Sequence, residues 1–219
     1  CIGGGRIPTK DWMAQLVQKS EKGGTDRSIW AIDRGVNICH TLLLSPAHLI
    51  GDRDSAAHDA WAWAEEHGAR VHAFPPAKDF TDTELALKIA AELMPCALVI
   101  LTGAFGGRFD HLTSAASVAA HAALPCILAD DREVLFFLHG DESLTITCDS
   151  PPQAISLLPF TEECTGITTN GLRWELNGSQ LHSHSSTTIS NVLAEGNTEH
   201  CFSVALRRGI LGVYLCHKE

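Results

Sequence analysis

Over the first 125 residues short apolar runs alternate with amphipathic segments, and the runs end repeatedly at glycine and aspartate. That alternation confines this part of the chain to an α/β domain with a mostly parallel sheet, whose strand ends face a common rim. Residues 28–32 run into Asp33-Arg34-Gly35, and 46–50 run into Gly51-Asp52-Arg53-Asp54-Ser55. Residues 70–74 read as a third strand, and the most apolar run, 96–101, leads into Thr102-Gly103-Ala104-Phe105-Gly106-Gly107-Arg108-Phe109-Asp110-His111. Between them, 12–19, 56–67, 85–94 and 112–123 have helical character and 37–44 a short helix or turn. Gly68 is placed to close its helix as a C-cap.

After Pro125 the texture changes to short β-rich runs separated by Gly, Asn and Pro turns, at 126–129, 134–138, 144–148, 154–158, 172–176, 201–206 and 210–216. Regular short strands of this kind predict an all-β C-terminal sandwich. The expected domains are 1–130, α/β and catalytic, and 131–219, β-sandwich. With 219 residues, 45% of them apolar, the chain can bury a proper core in each.

The net charge of −10 and the absence of Lys/Arg runs argue against a nucleic-acid or anionic-membrane surface. No apolar run approaches the roughly 20 residues of a membrane span, and no signal peptide is visible. The eight cysteines are scattered without Cys-x-x-Cys spacing, so they are expected to be reduced, in a cytoplasmic protein. Histidine is abundant but dispersed, and His182-Ser183-His184 reads as structural or solvent-facing. The chemistry concentrated here is that of oxygen ligands.

Two carboxylates one residue apart at a strand end, Asp52 and Asp54, suit a hard divalent ion such as Mg²⁺, although a surface turn has the same composition. Asp33 is delivered to the same rim by the preceding strand, where open α/β sheets bind ligands. In Lys78-Asp79-Phe80-Thr81-Asp82-Thr83-Glu84, Thr81 and Glu84 form a capping-box signature, while Asp79 and Asp82 could face a ligand. Gly106, Gly107 and Arg108, followed by Asp110 and His111, place a flexible backbone and a planar guanidinium before a helix, as phosphate sites do. The spacing matches neither Gly-x-Gly-x-x-Gly nor a P-loop. Gly3-Gly4-Gly5 is either a turn that approaches phosphate or a plain loop. On location alone Trp174 reads as core, and Ser190-Asn191 as a turn.

Taken together, Gly51–Ser55, Lys78–Leu87, Gly103–His111, and the distal Gly171-Leu172-Arg173-Trp174-x-Leu176 and Ile189-Ser190-Asn191 resemble thiamine pyrophosphokinases, in order and spacing, over nearly the whole chain. The resemblance implies an N-terminal α/β domain, a C-terminal β-sandwich and a homodimer with active sites between subunits. It implies transfer of the pyrophosphoryl group of ATP to the thiamine hydroxyl, giving thiamine diphosphate and AMP. By resemblance, Asp52, Asp54 and Asp82, with Asp33, hold Mg²⁺ and the ATP phosphates, and Asp79, Thr81, Gly106, Gly107, Arg108, Asp110 and His111 line the nucleotide side. Thiamine would lie near Trp174, Thr188, Ser190 and Asn191. If a general base is used, Asp82 and Asp110 are the candidates.

Asp33-Arg34-Gly35 departs from the Asp-Gly-Gly common in the family, and the first strand is short. Two rival readings stand beside the main one: a pyrophosphokinase for another hydroxymethyl heterocycle, such as a pterin, and a thiamine- or nucleotide-binding module without catalysis. The second domain with Trp174 and Ser190-Asn191 disfavours the first, and the full carboxylate set disfavours the second.

Overall fold

The computed structural model describes residues 1–22, 27–53, 56–74 and 79–217, with residues 18–22 by their backbone alone. It divides into two compact units, Cys1–Asp131 and Arg132–Glu219. Asp54, Ser55 and Lys78 lie outside the described residues.

In the first unit β1 (Trp30–Ile32), β2 (His48–Gly51) and β3 (Arg70–Ala73) pair in parallel in that order. A second parallel pair joins β4 (Val99–Leu101) to β5 (Cys126–Ala129). Ile2 stands between the two groups, bridging Ala31 and Thr102 in parallel. Its N–H donates to the Trp30 carbonyl at 2.8 Å, and Gly3 N–H donates to that of Thr102 at 2.7 Å. The Ile2 segment therefore lies in the middle of the sheet, with β1, β2 and β3 stepping outward on one side and β4 and β5 on the other. The step order reverses at Ile2, and the crevice beyond such a switch point is where open α/β sheets bind ligands.

Among the described residues, the strands are joined through α1 (Lys10–Lys22), α2 (Gly35–Leu42), α3 (His58–Glu66), α4 (Asp82–Leu93) and α5 (Phe109–Ala120). On one face of the sheet, Ala31 and Leu49 pack with Met13 of α1, Val36, Ile38 and Cys39 of α2, and Ala60, Trp61 and Ala64 of α3. Gly68, at φ +87°, ends α3 in the left-handed conformation its position predicts. Helix α5 begins at Phe109 rather than at residue 112, because Asp110 and His111 fit a first helical turn, where a carboxylate is favoured by the helix dipole.

The second unit is β-rich and antiparallel. β6 (Glu133–His139), β12 (Ile210–Cys216) and β8 (Ala154–Pro159) pair with β12 in the middle. A four-stranded sheet runs β10 (Ser179–His182), β9 (Glu163–Asn170), β11 (Cys201–Leu206), β7 (Glu142–Thr147). One cluster of buried side chains draws on both, including Ile155, Leu157, Ile167, Phe202, Val204, Leu211 and Val213. The strand expected over 172–176 does not form: Gly171 turns the chain at φ +83°, and a Cβ there would sit 2.6 Å from the Cys201 carbonyl oxygen. The Glu175 carboxylate accepts the Gly171 N–H at 2.8 Å and closes the bend.

Candidate active site

The ends of β1 and β2 bring Asp33 and Asp52 to neighbouring positions on the rim of the first unit. Asp33 follows β1 with φ 51°, and its N–H donates to the Ile50 carbonyl at 2.7 Å. Gly51 lets the neighbouring strand end approach: a Cβ there would lie 3.3 Å from Asp33 Cα. Asp52 comes next, half-buried like Asp33. Arg53 is turned to α3, where its guanidinium meets Glu65 Oε2 at 2.5 Å and lies 5.2 Å from the Trp61 ring centroid.

Two helix starts carry the other polar candidates. Thr81 is the N-cap of α4, its hydroxyl accepting the Glu84 N–H at 3.2 Å, so the capping half of its expected role is realised. Asp82 is half-buried in the first turn, whereas Asp79 is exposed. Ahead of α5, Gly106 and Gly107 are exposed and lead into Arg108 at the N-cap. Arg108 grips Asp110 twice, Nε to Oδ1 at 3.1 Å and Nη2 to Oδ2 at 2.5 Å. Asp110 Oδ1 also accepts the His111 N–H at 3.0 Å. The Arg108 guanidinium holds the Asp110 carboxyl below the usual carboxylate range. His111 is exposed beside it.

Among the described residues no three of His, Cys, Asp and Glu gather into a metal cage. Mg²⁺ does not need one, since it binds through one or two carboxylates plus water and phosphate oxygens. Asp33 and Asp52 after their strands, and Asp82 at the start of α4, offer carboxylate oxygens, a donor type that fits Mg²⁺ and does not fit a thiolate- or imidazole-seeking metal.

One ion pair on this side was not foreseen. Asp130, 2% exposed, directly follows β5 and receives Arg6 Nε at 2.9 Å and Nη2 at 2.6 Å. Arg6 also lies against Phe105 and directly under Gly106, where a Cβ would come 2.8 Å from Arg6 Cβ. The glycine run ahead of it is laid along the β4 exit, with Gly5 N–H donating to Gly103 O at 2.6 Å and Arg6 N–H to Phe105 O at 2.7 Å. Asp130 shares the signature of Asp33, an aspartate directly after an apolar strand, which is the signal that could have found it.

In the second unit Trp174 is 59% exposed and is therefore not core. Its backbone is held by Asn191, which follows the Thr188–Ser190 segment laid on β8. Thr188 Oγ1 donates to Leu157 O at 2.7 Å, and Ser190 N–H donates to the buried Ser156 hydroxyl at 3.0 Å. Ser190 takes φ 60° and leaves its side chain exposed. The structure thus brings Trp174, Ser190 and Asn191 together locally.

Two family models match the chain: thiamin pyrophosphokinase, catalytic domain, over residues 24–127, and thiamin pyrophosphokinase, vitamin B1 binding domain, over 143–210. A thiamine pyrophosphokinase of Bacillus subtilis is 27% identical over 195 residues, 86% of this chain and 88% of the relative. In fold the chain is similar to the crystal structure of the Bacillus subtilis thiamine pyrophosphokinase, with a TM-score of 0.77 at 24% identity, covering 99% of this chain and 97% of that one. A thiamin pyrophosphokinase family protein of Enterococcus faecalis gives 0.79 at 21% identity, over 99% and 97%. The thiamin pyrophosphokinase of Candida albicans gives 0.76 at 16%, over 98% and 88%. With both of the family's domain models matched in order and together spanning most of its length, the chain belongs to the thiamin pyrophosphokinase family.

Proposed function

We propose that the chain transfers the pyrophosphoryl group of ATP to the hydroxyl of thiamine, yielding thiamine diphosphate and AMP. The observation that carries this reading is the pairing of a catalytic-domain match over the carboxylate rim with a vitamin B1 binding-domain match over Trp174 and Ser190-Asn191. A pterin pyrophosphokinase or a non-catalytic module would not call for that pair.

In this reading the thiamine oxygen attacks the β-phosphorus. The bond from that phosphorus to the α–β bridging oxygen breaks, and AMP leaves with that oxygen while the hydroxyl proton is lost. Asp52, Asp54 and Asp82, with Asp33, would hold Mg²⁺ and the ATP phosphates. The ion, when bound, offsets the phosphate charge that would otherwise repel the nucleophile. Gly106, Gly107 and the start of α5 offer N–H groups to phosphate oxygens, Arg108 adds its fork, and Asp79, Thr81 and His111 line the nucleotide side. Asp110 serves to orient Arg108, since a carboxyl held in its ionised form by a guanidinium is a poor proton acceptor. That leaves Asp82 as the candidate base, if one is used.

Thiamine stacks on Trp174, an exposed indole suited to a flat cationic ring. Thr188 and Ser190 complete that side, on a C-terminal unit whose two antiparallel sheets form a sandwich. The reading extends to a homodimer in the cytoplasm, with active sites between subunits. Among the described residues no helix is long and apolar enough to cross a membrane.

An AMP-release assay with Mg²⁺, run in parallel with thiamine and with a hydroxymethylpterin, tests the acceptor. AMP with thiamine alone is expected; AMP with the pterin alone, or with neither, would overturn the assignment.

A further inference from the structure

Trp174 stands in a bend, not in a strand, so no ladder fixes the peptide that carries its ring. What fixes it is one side chain. Asn191 Oδ1 accepts the Trp174 N–H at 3.3 Å, and Asn191 Nδ2 donates to the Trp174 carbonyl at 2.8 Å. The amide thus pairs with both backbone polar groups of Trp174 as another backbone would. Oδ1 also accepts the Val192 N–H at 2.9 Å, which fixes the amide's own orientation. Asn191 is anchored in turn, exchanging both backbone hydrogen bonds with Ile155 of β8 at 2.8 and 2.7 Å. Next door, Arg173 N–H donates to the Val192 carbonyl at 2.9 Å, and Leu172 bridges Leu193.

With those three bonds made, the Asn191 oxygen has both lone pairs engaged and the nitrogen has one of its two hydrogens engaged. Only an amide does this: aspartate has no donor for the Trp174 carbonyl, and serine is too short to reach both groups. The Arg173 guanidinium lies 5.2 Å from the Trp174 ring centroid, which leaves the opposite ring face to a flat ligand.

We infer that Asn191 is a positioning residue: it locks the Trp174 backbone to β8 so that the indole is pre-set as a stacking platform, and it does not itself contact thiamine. The inference rests on the proposed stacking of thiamine on Trp174 and sharpens it, because it moves Asn191 out of the set of direct contacts and leaves Ser190 and Thr188 there. Pre-setting matters because an exposed indole that must be ordered at the moment of binding loses affinity to that ordering.

The test is a double-mutant cycle in the full chain, reading KM for thiamine and for ATP in wild type, Asn191→Ala, Trp174→Ala and the double variant. Asn191→Ala should raise the thiamine KM about tenfold, the scale of losing one or two such hydrogen bonds, and leave the ATP KM unchanged. In the Trp174→Ala background the same substitution should add nothing. An unchanged thiamine KM in Asn191→Ala would overturn the inference. So would an equal rise in both backgrounds, which would make Asn191 a direct contact. If Trp174→Ala alone leaves the thiamine KM unaltered, the stacking platform itself is wrong and the inference goes with it, a result distinct from the other two. Should Asn191→Ala not fold, Asn191→Ser is read by the same criteria.

Discussion

Asp33 adopts a left-handed backbone at the end of β1, a conformation that costs a non-glycine residue roughly 1 kcal/mol or more. The hydrogen bond to Ile50 and the close approach of Gly51 hold it there, beside Asp52. Such carboxylates are expected to matter to turnover and little to stability. Asp52→Asn should lower kcat by about 100-fold or more, the scale of removing a group that organises phosphate charge, with the melting temperature unchanged; a variant that keeps most of its activity would remove Asp52 from the machinery. Arg6→Ala should behave in the opposite way, destabilising the first unit by about 2–4 kcal/mol because it strips a partner from a buried carboxylate. Chemical denaturation checks this, and a loss below about 0.5 kcal/mol, the range of ordinary surface changes, would contradict it. Asp33 and Asp52 could be placed at strand ends because each follows an apolar run. The Arg6–Asp130 pair was not legible, since its members lie 124 residues apart and only the fold joins them.

At the scale of elements, β1, β2, β4 and β5 could be read because they are largely buried and so appear as apolar runs, whereas β3, Arg-Val-His-Ala, is exposed at both ends. Strands β9 and β10 escaped for the opposite reason. β9 buries Cys164, Ile167 and Thr169 but exposes Glu163 and Asn170 and carries Gly166, a pattern too mixed to stand out. The false strand at 172–176 arose because Leu172 and Leu176 flank an aromatic residue, although Leu172 is buried while Trp174 faces outward. The start of α4 was legible from its cap. Thr81→Ala should cost about 1 kcal/mol through loss of that cap, measured by denaturation. A thiamine KM unchanged alongside an altered ATP KM would show that Thr81 also serves the nucleotide.

For the molecule as a whole, pH dependence reports on a stack within the first unit. His48 Nδ1 and His72 Nε2 lie 2.9 Å apart, and Trp30 stacks on His48 at 4.0 Å. Burial, with Arg70 nearby, lowers the pKa of both histidines from the ordinary 6.5. A histidine whose folded pKa is depressed binds fewer protons folded than unfolded between that pKa and about 6.5, so stability falls as pH drops below about 6.5. Melting curves from pH 7.5 to 5 should show this loss, and His48→Gln with His72→Gln should flatten it; an unchanged slope would locate the acid sensitivity elsewhere. The central claim concerns the group that is moved. It is tested most directly by ³¹P NMR of the chain with Mg²⁺, ATP and thiamine. The account predicts AMP and thiamine diphosphate in equal amounts from the first turnover; ADP with thiamine monophosphate would contradict attack at the β-phosphorus.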